Sequence, residues 1–395
     1  MNNAAELHAQ GFKPPRTIEE LRKHLQAAIE VEHLTIPVYM TGMYTIRPDT
    51  NRLAYYAIRS VVLEEMLHLT LAANLLNAVG GEPNTAHPAF VAKYPAKLPF
   101  SSDELPPIGL RHFSPEALDT FLTIERPRSL VPPEEGQGWT SIGQFYDAIG
   151  KGLRALVAEQ GEGGVFTGDP GRQVGPEDFY NSGGEAFRVT DLKSALTAIE
   201  VISEQGEGAG DSIWDSDDRF FGEERQLAHY FRFNEIRTGR SYGRHDTPRT
   251  PPSGPLLDVT WEDAYKIHGD SKVADYKRFE EQSRVYAEAA AFNLCYATLL
   301  SYLDGAFNGW PRLMCLAVPT MLELRDRAER LYRNPHPDPE LAKDGVFASA
   351  TFELEQQHFE AARDQVEQNI EAVDREPGAP IDLSAVTAQT GEQFA

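Results

Sequence analysis

Val62-Leu-Glu64-Glu65-Met-Leu-His68-Leu-Thr-Leu-Ala-Ala73 is the stretch on which the reading of this chain turns. Glu65 and His68 stand three residues apart, a spacing that puts both side chains on one face of a helix. Val61, Val62, Met66, Leu67, Leu69, Leu71 and Ala72 surround them, so this part of the helix reads as buried. A carboxylate and an imidazole in such surroundings need a partner, because burying an unpaired charge is costly. The preceding segment, Leu25-Gln-Ala-Ala-Ile-Glu30-Val-Glu32-His-Leu-Thr-Ile-Pro37-Val-Tyr39, is also apolar and brings two more carboxylates. Four-helix bundles that hold two metals use such an arrangement: one Glu from each of two helices, and Glu-x-x-His pairs from the others.

Working outward, Thr17-Ile-Glu19-Glu20 resembles a capping box and predicts a first helix over about 18–46. Pro37 removes one backbone donor inside it and predicts a kink just past Glu32. A second helix is expected over about 50–79, stopped by Gly80-Gly81 and kept from resuming by Pro83. The short link makes the two antiparallel neighbours. Residues 82–190 are rich in Pro and Gly, with amphipathic helices expected at about 114–124 and 141–158. That length is too great for a plain loop, so it reads as an insertion packed across one end of the bundle. Core helices three and four are expected at about 191–206 and 220–238, with Gly239 as the final stop. Two further long helices are expected within 272–332. The fold class is therefore all-α: a four-helix bundle over 16–331, enlarged by a long helical insertion and two C-terminal helices. Residues 333–395 read as a polar tail with one charged helix near 352–373.

The chain has 395 residues, 60 of them acidic and 37 basic, for a formal charge of −23. That balance argues against binding nucleic acid or an anionic membrane through a general basic surface. No apolar stretch reaches membrane-spanning length, and the polar start, Met1-Asn-Asn-Ala-Ala-Glu, does not read as a secretory signal. The two cysteines, Cys295 and Cys315, lie in apolar helical surroundings and read as buried small hydrophobes. A reducing, cytoplasmic setting is expected.

Glu30 and Glu32 are two apart and cannot point the same way, whereas Tyr39 follows Glu32 by seven residues, almost two turns, on one face. Glu32, Tyr39, Glu65-Met-Leu-His68 and the glycine stop resemble the first helix pair of the ferritin-like superfamily. Ala28-Ile-Glu-Val-Glu-His-Leu-Thr-Ile-Pro-Val-Tyr39, Glu204-Gln-Gly-Glu-Gly208 and His229-Tyr-Phe-Arg-Phe-Asn-Glu235 resemble more narrowly the ferritin-like domain of iminophenyl-pyruvate dimer synthases, relatives of the violacein-pathway enzyme VioB. The resemblance implies a non-haem di-metal bundle with Glu32, Glu65, His68 and His229 as ligands, and Glu30 outside the ligand set. Tyr39 would hydrogen-bond a ligand carboxylate or relay redox equivalents.

The second half departs from that pattern. Three residues before His229 stands Gln226, a neutral amide, so the remaining carboxylates must come from elsewhere. Glu204 and Glu207 share a face at the end of the third core helix. The expectation is that Glu204 bridges and Glu207 takes the terminal place beside His229, with Glu200 as the alternative. Arg232 could pair with Glu235 or with a ligand carboxylate. Glu355-Gln-Gln-His358 repeats the Glu-x-x-His spacing in a charged segment and reads as solvated surface.

Carboxylate and imidazole donors suit two iron ions, or manganese, better than thiolate-seeking metals. The reading favours an enzyme: a di-iron oxidase or oxygenase acting with O2 on a small organic substrate. By resemblance that substrate is an amino-acid-derived imine in secondary metabolism. The alternatives are a non-catalytic metal-binding or storage protein and a degenerate bundle serving as an interaction module. The C-terminal helix pair could equally serve a homodimer.

Overall fold

The computed structural model describes residues 13–98, 106–130, 141–180, 183–279 and 284–375. Among the described residues there are helices and isolated β-bridges but no strand. Helix α1 (Ile18–Tyr44) starts where Thr17 Oγ1 accepts from the Glu20 amide at 3.1 Å, while the Glu20 carboxylate accepts from the Arg16 amide at 2.7 Å. It runs on through Pro37 to Tyr44 and is buried without a break from His24 onward. Helix α2 (Arg52–Ala78) packs along it and is buried without a break from Glu64 onward. Gly80, with φ of +70°, turns the chain out of α2. The Gly168 amide then caps the helix by donating to the Ala78 carbonyl at 3.0 Å.

Four more helices build the walls. Helix α3 (Pro115–Ile124) is capped by Ser114, and α4 (Ile142–Gln160) by a Ser141/Gln144 capping box. After the one-turn α5 (Glu162–Val165), α6 (Leu192–Glu207) starts at an Asp191 cap and ends at Gly208. The short α7 (Asp217–Phe220) precedes α8 (His229–Thr238), which Gly239 ends in a left-handed conformation. Helix α4 packs on α1 and α6, α3 on α1 and α8, and α6 on α2 and α8. Helices α3 and α4 of the 82–190 segment thus lie along the flanks of the bundle, while Gly168 of the same segment closes the end of α2.

The single helix expected over 220–238 is broken. Gly222 adopts a φ of +70°. Residues 213–215 and 226–228 pair as a short antiparallel bridge: Asp215 N–H donates to the Gln226 carbonyl at 2.9 Å, and Ala228 N–H to Ile213 at 3.0 Å. Backbone groups committed there cannot join a helical ladder.

The C-terminal part comprises α9 (Val273–Phe279), α10 (Arg284–Phe307), α11 (Met314–Tyr332), the one-turn α12 (Pro339–Lys343) and α13 (Gln356–Arg375). Through residue 366 much of the expected polar tail is packed structure. Ala348, Ala350 and Phe352 are buried, and Phe359, Ala362 and Val366 give α13 an apolar stripe near α10. Residues 376–395 of that tail lie outside the described residues. Cys295 is buried, but Cys315 is exposed, contrary to its reading as a core residue. No helix among the described residues is long and apolar enough to cross a membrane.

Candidate metal centre

The site begins on the α1–α2 pair. Because both helices are enclosed, Glu32, Glu64, Glu65 and His68 are each at most 2 % exposed although they do not share one face. Two elements from outside the pair complete the cluster. Glu125, the residue that ends α3, is buried, and so is His229, the first residue of α8.

These side chains form two groups that share Glu65. Glu32, Glu65 and His68 bring one ligand atom each within 4.8 Å of one another, and so do Glu65, Glu125 and His229. His68 Nδ1 lies 3.6 Å from Glu32 and 3.7 Å from Glu65 Oε1. His229 Nδ1 lies 3.0 Å from that same Glu65 oxygen and 3.6 Å from Glu125. The two imidazoles stack with centroids 5.4 Å apart.

Each carboxylate is oriented by a hydroxyl. Tyr146 donates to Glu32 at 2.6 Å, Thr35 to Glu65 Oε2 at 2.8 Å, and Tyr39 to Glu125. Burial first, and the nearby carboxylates after it, push both phenols well above their ordinary pKa, so each remains a donor. Behind the site, Arg232 Nη1 donates to Glu64 at 2.7 Å. Burial opposes ionisation of Glu64, yet Arg232 and His229 outweigh it and hold that carboxyl at about 2. Glu65 has the two histidines beside it but no guanidinium. Burial, then Glu125, pushes it up to about 7. Burial disfavours charge on His68 and His229, but the surrounding carboxylates raise both.

A metal pair fits this donor set. Four buried carboxylates face a single guanidinium, an imbalance of the kind that divalent cations relieve. His229 Nδ1 makes no hydrogen bond although it is buried against two carboxylates, which is how a ligand nitrogen is presented. Oxygen and nitrogen donors without thiolate suit iron or manganese.

Of the residues singled out in the sequence, Glu32, Glu65, His68 and His229 come together, with Tyr39 against Glu125. Glu204 and Glu207 join neither group. Glu204 pairs with Arg219 at 3.2 Å, and Glu200 pairs with the same arginine. Glu207 borders the cavity beside the cluster, but its carboxylate is held by the Gly143 amide at 2.7 Å and the Arg128 amide at 2.9 Å. Glu30 lines a separate surface cavity with Arg22, Lys23 and Gln26. His33 is a packing residue against Phe90 and Tyr296. Arg232 pairs with Glu64 and faces Asp215, not Glu235. Glu355 and His358 make a local turn, the Glu355 amide donating to His358 Nδ1 at 2.9 Å, and belong to no cluster among the described residues. Glu125, Glu64, Tyr146 and Gln205 were not anticipated.

A family model described as Ferritin-like matches residues 25–238, which span every residue of the two groups. The chain belongs to this family. A ferritin-like protein from Caulobacter vibrioides has a similar fold, with a TM-score of 0.52 and 23% identity over 79% of this chain and 97% of that one. A dichlorochromopyrrolate synthase from Lentzea aerocolonigenes is 27% identical over 334 residues, 76% of this chain. The match covers only 30% of that relative's length. In this ferritin-like chain, then, the two groups that could hold a metal share one glutamate and draw one carboxylate from the 82–190 segment.

Proposed function

We propose that the protein is a non-haem di-metal oxidase or oxygenase that uses O2 to oxidise a small organic substrate. The observation that carries this reading is the pair of buried carboxylate–histidine groups sharing Glu65. Glu32, Glu65 and His68 would hold one ion, and Glu65, Glu125 and His229 the other. Two iron ions there would supply redox chemistry with dioxygen. The chain's own residues do the rest. Tyr39, Phe121 and Phe233 pack as an aromatic wall that excludes water from the Glu125 side. Tyr39 and Tyr146 keep their phenol protons and donate them in hydrogen bonds to Glu125 and Glu32, and Thr35 orients the shared Glu65.

The cavity against the cluster is about 10 Å3, bounded by Ile124, Ile142, Ile202, Gly206 and Glu207. That is about the smallest space that holds one water molecule. An organic substrate would meet the site from its Arg128–Glu207 border, where that ion pair spans 3.2 Å. The similarity to a synthase of dichlorochromopyrrolate supports an organic substrate, and the resemblance noted in the sequence favours an amino-acid-derived imine. The enclosed cavity also supports a second reading, a non-catalytic metal-binding protein.

Metal analysis of anaerobically reconstituted protein tests both readings, with a Glu65→Ala/His68→Ala variant alongside. About two irons per chain, lost in the variant, are expected. Oxygen uptake stimulated by α-imino or α-keto acids would then support the oxidase. Bound iron with no substrate-dependent uptake would favour the storage reading, and wild type holding under one metal, unchanged in the variant, would overturn both.

A further inference from the structure

Each histidine turns Nδ1 toward the carboxylates and leaves Nε2 to an outer partner, and the two outer partners differ in charge. His229 Nε2 meets the Glu64 carboxylate at 2.8 Å. His68 Nε2 meets the side-chain oxygen of Gln205 at 2.8 Å. The orientation of that amide is set by its own contacts. Gln205 Nε2 donates to the Gly183 carbonyl at 3.1 Å and to Asp217 Oδ1 at 2.9 Å, so its oxygen must be the atom facing His68. An acceptor behind Nε2 places the proton on that nitrogen and frees Nδ1 for a metal.

The outer partners are linked behind the site. From His68 the contacts run through Gln205 to Asp217, whose amide donates to Asp215 at 3.3 Å. Asp215 Oδ2 and Arg232 Nη2 face each other at 3.6 Å, and Arg232 leads through Glu64 to His229. The hydroxyl contacts of the two groups match: each has one unshared glutamate taking one tyrosine hydroxyl, and both share Glu65, to which His229 Nδ1 lies nearer (3.0 Å) than His68 Nδ1 (3.7 Å). The difference in charge lies behind the histidines.

We propose that this unequal backing ranks the two positions, so that the one formed by Glu65, Glu125 and His229 takes its metal first and more tightly. A carboxylate behind an imidazole raises its basicity as a ligand, whereas a neutral amide orients the ring with less effect. Glu64 and Gln205 are positioning residues that act through His229 and His68. The inference rests on the metal-centre reading and adds to it which position is stronger and why.

Titration of the full chain with Mn(II) under argon, read by calorimetry and by Mn(II) electron paramagnetic resonance, tests the proposal. Two steps separated by about tenfold or more are expected, with an isolated-ion spectrum at one equivalent. His229→Ala should remove the tighter step, and His68→Ala the weaker. Glu64→Gln should weaken the first step roughly ten- to hundredfold, leaving the second in place. Because Glu64→Gln leaves Arg232 without its carboxylate and can unfold the chain, a second variant is needed. Gln205→Glu/Asp217→Asn moves one formal negative charge from Asp217 to the atom touching His68 at constant formal net charge; the amide placed at 217 can donate to the carboxylate placed at 205, and only the Gly183 carbonyl loses its donor. This variant should tighten the second step by about tenfold and draw the steps together. A merely structural role would not produce these opposite shifts. Equal steps in the wild type, a first step that depends on His68, or a charge-moved variant with unaltered constants would overturn the ranking while leaving the metal centre intact. No bound metal in the wild type would overturn both.

Discussion

Glu125 ends the apolar stripe of a short helix whose buried residues are Ala117, Leu118, Phe121 and Ile124. A carboxylate four residues past Phe121 lies on that same stripe, and this was the signal in the sequence for a buried acid. Glu125→Gln is expected to lower the bound metal from two ions to one by elemental analysis. Its cost should exceed the roughly ten- to hundredfold carried by partners outside the ligand set. Glu204→Ala should leave metal content unchanged and cost no more than about 1 kcal/mol in urea, since it breaks a partly exposed ion pair. Glu65 gives metal uptake a pH dependence. Its carboxyl is raised to about 7, and a ligand carboxylate must be ionised. Above pH 7 the metal displaces no proton from it, whereas below pH 7 this group should lower the apparent Mn(II) affinity by about tenfold per unit, on top of the protons that His68 and His229 must release. A flat affinity between pH 8 and 6 would contradict this assignment. The sequence pointed to Glu32, Glu65, His68 and His229 because each stands in apolar surroundings at helical spacing. It could not single out Glu64, which is buried only because α2 is enclosed on every side.

Helix phase accounts for Glu200 and Glu204 lying outside both groups. On α6 the buried positions include Ala195, Ala198, Ile202 and Gln205, a run at three- and four-residue spacing that turns toward the core. Glu200 and Glu204 fall off that run and pair with Arg219, leaving an amide to meet His68. The α1–α2 hairpin was legible to within two residues at each end, since its caps and apolar residues agree. The stretch over 220–238 was not, because its break depends on pairing with residues 213–215, a contact no local pattern announces. The capping of α2 gives a prediction of its own. A Cβ on Gly168 would come within 1.7 Å of the Asn77 carbonyl oxygen, so this loop could not keep its close approach. Gly168→Ala is expected to destabilise the protein by about 2–4 kcal/mol, read as a lower urea midpoint, through overpacking and loss of the cap on Ala78.

For the molecule as a whole, metal and fold are coupled. Buried carboxylates that repel one another weaken the metal-free state, and an ion that binds only the folded chain stabilises it by mass action. Mn(II) at a thousand times its dissociation constant should add about 4 kcal/mol per site, raising Tm by several degrees. The Glu65→Ala/His68→Ala variant should show no such rise in a thermal scan. The distribution of ligands along the chain has a consequence for how the protein is made. One group needs only residues 32–68, all within the first hairpin, whereas the other waits for Glu125 and His229. As the chain leaves the ribosome, the half-built site is the weaker one on the proposed ranking. On that ranking the stronger grip would exist only after residue 229 has folded back against α2, so a finished molecule would hold a cation more tightly than a nascent one.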